Sequence, residues 1–272
     1  MKKQSTTPYT IVLGIILGFF ALTAVFPFIY MALLSFTQSK SLTFSFSDIR
    51  LNFINYQRVF SNTNFFSALR NSILVSGLSC LCNCLISSMA AYGFEKKRFP
   101  GKEKIFALYL ATLMVPGQVT LIPVFIIMKE LGLLNTYFAL IVVIINAFGV
   151  FLIRQFMKGV PDELLEAAKV DGCPELWIFT RIVIPLIKPV LISLVVFTFI
   201  SSWNDFIWPL VISNTSEMQT LTLALSLLKG HFSTNYGLVM AGSTLTFLFP
   251  FILYVFLQKQ FVEGIALSGV KG

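Results

Sequence analysis

The chain has 272 residues, of which 56% are hydrophobic and 12% charged, and its formal net charge is +8. A water-soluble domain usually has about 25% charged residues to cover its surface, so a soluble globular protein is excluded and an integral membrane protein is indicated. The positive charge does not imply a nucleic-acid partner if the basic residues gather in loops on one side of a bilayer.

Six apolar segments follow one another at 9–36, 71–94, 105–128, 137–157, 190–212 and 238–257. Each is near the ~20 residues needed to cross ~30 Å of hydrocarbon as a helix. The expectation is an all-α, polytopic membrane protein with six transmembrane helices in a single domain over residues 1–272. The first segment follows Lys2 and Lys3 and is too long and uninterrupted for a removable signal peptide, so it reads as a retained helix. With the N-terminus inside, Lys2, Lys3, Lys96, Lys97, Arg98, Lys102, Lys104, Arg154, Lys158, Lys169, Arg181, Lys188, Lys259 and Lys271 all fall on the cytoplasmic side, 14 of the 20 basic residues. This bias predicts that both termini are cytoplasmic. The charge run from Glu95 to Lys104 reads as a cytoplasmic turn that fixes topology.

Between the first two segments, the outside stretch 37–70 carries Asp48, Arg50, Tyr56 and Arg58 and predicts a short surface helix packed on its own protein. The second segment contains Cys80, Cys82 and Cys84 among Ser, Asn and Ala residues. Their spacing puts Cys80 and Cys84 on one helical face and Cys82 roughly opposite, which suits close helix packing and not a metal site. In the third segment Pro116, Gly117 and Gln118 predict a bend that lines a cavity, hinges it or serves packing. Asn146 in the fourth predicts an interhelical hydrogen bond, with cargo contact as the alternative, and both it and Gln118 are candidates for the translocation path.

Asp205 is the acid placed inside a span, and an intramembrane carboxylate is a candidate functional group. With Trp203, Asn204 and Trp208 it offers hydrogen-bonding groups beside aromatic faces, as a wet cargo path requires. The alternative is an interfacial anchor, with tryptophan at the headgroup level and Asp205 reaching water. The outside loop 213–237 holds an apolar run, 221–228, that reads as a membrane-facing hairpin. A single histidine, His231, and the absence of a Gly-x-x-x-x-Gly-Lys-Ser/Thr loop leave no metal or nucleotide site in the chain. If ATP is used, another chain binds it.

The polar segment 158–189 interrupts the apolar pattern. Val160-Pro161-Asp162-Glu163 reads as a helix start, with acids at the positive end of the helix dipole. Gly172 stops that helix, and Pro174-Glu175 opens a second that carries Leu176, Trp177, Phe179 and Ile182 toward Pro185. The product is a rigid helix, turn, helix on the cytoplasmic side.

Glu166-Ala167-Ala168, then Asp171-Gly172, Phe179, Ile182, Pro185-Leu186 and Pro189, closely resemble the cytoplasmic coupling motif of the membrane subunits of binding-protein-dependent ABC importers. Val115 to Pro123, Trp203 to Pro209 and Phe261 to Gly272 make the chain similar to the shorter permease subunit of maltose-type carbohydrate importers. Cys173 departs from the family's usual Ala or Ser, but all are small.

The resemblance implies the type I ABC importer permease fold in the cell (inner) membrane of a bacterium or archaeon. It implies a second homologous permease subunit, two ATPase subunits that carry ATP and Mg, and an extracytoplasmic solute-binding protein that delivers a sugar or oligosaccharide and rests on the loop 213–237. In that scheme Glu166 meets a basic residue of the ATPase, Ala167 and Ala168 allow close approach, and Gly172 holds the turn. The short tail after Lys259 reaches the ATPase surface. A secondary transporter or channel working without an ATPase is the alternative, and no internal repeat supports it.

Overall fold

The computed structural model describes residues 8–38, 52–62, 64–227 and 235–269, and every regular element among them is helical. His231, Asp48 and Arg50 lie outside the described residues. Among the described residues three helices are long and apolar enough to cross a membrane: residues 12–35 of α1 (Pro8–Ser35), α3 (Phe65–Lys96), and residues 236–256 of the last helix. Two bent pairs pass the same test. One joins α4 (Lys102–Ala111) and a 3-10 turn, Thr112–Met114, to α5 (Gly117–Glu130) through a 100° bend. The chain divides into two compact units, residues 1–63 with 225–248, and 64–224 with 249–272.

In the first unit the described side chains of α1 are exposed up to Ile29, with Phe19 and Phe20 each 63% exposed, as suits a helix solvated by lipid. The predicted surface helix is α2 (Ile54–Asn62), whose Val59 and Asn55 are fully buried. Asn55 Nδ2 donates to the carbonyls of Ser35 at 2.8 Å and Thr37 at 2.6 Å and so ties α2 to the end of α1. A Cβ at Gly237 would stand 1.9 Å from the Thr37 carbonyl oxygen, so only glycine fits there.

The second unit is organised on α3. Its buried face carries Ser72, Ser76, Ser79, Asn83 and Ser87 at helical spacing. Ser76 donates to Ser202 at 3.1 Å and Asn83 Nδ2 to Thr198 Oγ1 at 2.9 Å, both on α11 (Lys188–Asn204). The Cys80 and Cys84 thiols point to the same helix, at the Val195 and Leu191 carbonyls, and all four cysteines are free. Small residues allow the approach that these bonds need. A Cβ on Gly149 of α7 (Ala147–Met157) would lie 2.4 Å from Ser87 Oγ.

The helices differ from the expected unbroken spans at three places. The third segment breaks at Val115-Pro116: Pro116 has no N–H and adopts extended backbone, so the expected bend becomes a corner. The fourth segment splits into α6 (Tyr137–Val142) and α7. Asn146 causes this, because its side chain accepts the Phe148 N–H at 3.1 Å and opens a new helix. The bond expected to cross between helices is therefore a local cap. The fifth stops at Asn204, and α12 (Ile207–Ile212) begins after Asp205.

Beyond a 3-10 turn, Ser216–Met218, lies α13 (Leu221–Ser226). Leu221 and Leu223 are buried, so this part of the apolar run packs inward and does not face lipid. Helix α14 (Tyr236–Gly269) continues well past the expected end, and the backbone after Lys259, expected as a short tail, is helical to Gly269.

Candidate functional site

The coupling segment is built as the local sequence directs. Pro161 is extended and precedes α8 (Asp162–Val170), whose first turn holds Asp162 and Glu163. Leu165 and Ala168, three residues apart, face inward and pack with Met157, Ile178, Phe179 and Val183. The opposite face carries Glu166 and Ala167 outward, with Val170 88% exposed. Ala168 is thus buried in the protein's own core, and of the pair Ala167 faces outward.

The turn closes with the Gly172 N–H on the Lys169 carbonyl and the Cys173 N–H on the Ala168 carbonyl, both 3.0 Å, while Gly172 takes a left-handed φ of 79°. Pro174 then leads into α9 (Glu175–Ile178), which leaves Leu176 and Trp177 exposed and Ile178 buried. A π-turn, Phe179–Val183, follows, and α10 (Ile184–Leu186) takes in Pro185, which could not serve an unbroken α-ladder. A 77° bend at Ile187 joins this stretch to α11, the second bent pair. The coupling helices and α11 share a packed core through Ile187, Val190 and Leu194.

The charge run 95–104 turns out to hold this segment. Lys96 Nζ donates to the Val160 carbonyl at 2.6 Å and to Asp162 at 2.7 Å. That hydrogen bond, with the lysine's charge, holds the Asp162 carboxyl below the ordinary range. Lys97 and the Tyr92 hydroxyl both meet Glu175. Next to them Arg154, only 6% exposed, bonds Glu95 at 2.9 Å and Glu103 at 2.7 Å, with its guanidinium 4.0 Å from the Phe106 ring centroid. None of these pairings was visible in the sequence; the available signal was a lone arginine among apolar residues.

The candidate cargo residues separate into two groups. Gln118 and Asp205 line one cavity of about 390 Å³, with Gly117, Thr120, Val143 and Trp208, where the corner before α5 faces the gap between α11 and α12. Asp205 also accepts the Trp208 N–H at 3.3 Å, and the Trp208 indole donates to the Ala139 carbonyl at 2.8 Å. Trp203 is 1% exposed, with its ring between Phe199 and Phe249, so protein covers its faces. Asn204 is exposed at the end of α11, and Asn146 caps α7; neither lines the cavity.

A model of the binding-protein-dependent transport system inner membrane component family matches residues 84–266. The chain belongs to this family. The match takes in the later part of α3, the coupling segment and both sides of the cavity. Among similar permeases is the arabinooligosaccharides transport system permease protein AraQ of Halalkalibacterium halodurans, 35% identical over 279 residues and all of both chains. The lactose transport system permease protein LacG of Rhizobium radiobacter is also 35% identical, over 94% of each chain. A chain in the crystal structure of a bacterial ABC transporter involved in import of the acidic polysaccharide alginate is 26% identical, with a TM-score of 0.79 over 95% of this chain and 98% of that one.

Asp205 can be separated from its capping role by substitution. Asparagine keeps the cap and removes the charge, whereas alanine removes both and costs about 1 kcal/mol. If the carboxylate meets cargo, Asp205→Asn lowers uptake by about tenfold, the loss of one charge-assisted hydrogen bond, with unchanged thermal stability. Full uptake in Asp205→Asn assigns the residue to capping alone.

Proposed function

We infer that the chain is one permease half of an ATP-driven importer of a sugar or oligosaccharide. Family membership and the coupling segment carry this reading: a short rigid helix pair, fused through a shared core to α11, offers Glu166, Ala167, Val170, Leu176 and Trp177 to a soluble partner. The relatives named for arabinooligosaccharide and lactose transport support the cargo class. In this reading the chain is not itself an enzyme. Two ATPase subunits, with ATP and Mg, bind beneath it and a second permease subunit completes the path. An extracytoplasmic binding protein delivers the solute. The chain crosses the inner membrane six times with both termini cytoplasmic, α6 and α7 together making the fourth crossing, in accord with the Lys/Arg bias. The cavity with Gln118 and Asp205 lies on the cargo path. Closure of the ATPases moves α8 and α9, and the shared core carries that displacement to α11.

The test is uptake into proteoliposomes with co-expressed partners. Copurification of an ATPase subunit and sugar uptake that requires ATP and the binding protein are expected. Uptake by this chain without any ATPase overturns the reading in favour of a secondary transporter or channel.

A further inference from the structure

Two adjacent lysines at the cytoplasmic end of α3 return to the two starting points of the coupling helices. Asp162 opens α8 and Glu175 opens α9, and Lys96 holds the first while Lys97 holds the second. The motif from Glu166 to Gly172, exposed except at Ala168, lies between these anchors. Surface pairs of this kind are usually weak and screened by salt. Lys96 is different: its side chain is 5% exposed and satisfies a backbone carbonyl as well as a carboxylate, so losing its partners strands a buried charge. Lys97 is held from a second direction, since its ammonium lies 5.0 Å from the ring centroid of Tyr92, whose hydroxyl shares Glu175.

The same helix is bonded along its length. Ser76 and Asn83 join it to α11, and near its far end Asn71 Nδ2 donates to the Glu217 and Gln219 carbonyls at 2.6 and 3.0 Å. At 32 residues α3 is about 48 Å long. We propose that Lys96 and Lys97 form a two-point clasp that fixes the coupling helices to α3, so that their displacement also moves α3 and, through it, the outer segment 217–219. They are positioning residues, and the role rests on the importer reading above.

The clasp is tested in the complete transporter, with partner permease, ATPases and binding protein, by measuring uptake and ATP hydrolysis together. Lys97→Glu and Glu175→Lys each lower solute moved per ATP hydrolysed by about tenfold, the effect of reversing a close charge. The double exchange, Lys97→Glu with Glu175→Lys, restores most of the ratio. Lys96→Met lowers it further than either single exchange. Tyr92→Phe keeps the ring and gives a smaller loss, which serves if a charge-reversal variant does not assemble. A clasp that is only structural would reduce the amount of complex, uptake and hydrolysis in proportion, with the ratio intact; that result overturns the proposal, as does a double exchange that assembles without restoring the ratio. Wild-type complex that takes up solute without ATP hydrolysis removes the importer reading itself and is thereby distinct.

Discussion

Replacing Gly172 by valine abolishes coupled uptake while the chain remains in the membrane. The reason is backbone conformation and not crowding: Gly172 sits at φ 79°, and a Cβ built there meets nothing within 4 Å. A non-glycine residue in the left-handed region costs ~1–2 kcal/mol, and a β-branched one is a stronger outlier. The turn can relieve that strain only by giving up the two hydrogen bonds that close it, to the Lys169 and Ala168 carbonyls. Then α9 no longer leaves α8 at a fixed angle, and a push on α8 is absorbed in the turn. A graded series is expected. Asparagine tolerates the left-handed region and keeps most of the uptake, alanine loses part of it, and valine leaves no uptake above background. Uptake and ATP hydrolysis in proteoliposomes check the order. Equal activity across the three variants would mean that the turn transmits nothing.

Replacing Arg154 by methionine destabilises the protein by about 3 kcal/mol, the lower end of the cost of breaking a buried ion pair. The lower end applies because the Glu103 side chain is 68% exposed and can recover water, whereas that of Glu95 is 19% exposed and cannot fully do so. Arginine reaches three helices here, Glu95 on α3, Glu103 on α4, and its own α7. Lysine has no planar fork to serve both carboxylates and should recover only part of the loss. Glu103→Gln should cost less than Arg154→Met, because the Glu103 side chain is exposed and water screens the pair. Denaturation midpoints of the purified protein give the comparison. If Arg154→Met is as stable as wild type, the network is decorative and the α3–α4–α7 junction is held by its apolar core alone.

The coupling helices were legible because their determinants are local. Proline before paired acids starts α8, and a glycine with a left-handed requirement ends it; both act within a few residues. The polar face of α3 was legible for a similar reason, since serine and asparagine at helical spacing inside an apolar run imply buried partners. The breaks at Asn146 and Asp205 were not. Within a uniformly apolar stretch, hydrophobic periodicity is the same for one helix or two, and a single capping side chain decides. The clasp and the Arg154 network were invisible for another reason: Lys96 and Asp162 are 66 positions apart, and nothing in a charge run announces which distant carboxylate it will meet. That is how Trp203, an attractive sugar-facing aromatic by its neighbours in sequence, proves to be buried beneath Phe199 and Phe249.

The π-turn at Phe179–Val183 gives the chain a means of keeping register. A π-turn contains one more residue than the α-helical turn it replaces. Because that extra residue completes the same full turn, removing it restores an α-turn with little rotation of one side against the other. A one-residue change there is therefore taken up locally, and the packed core on either side keeps its place.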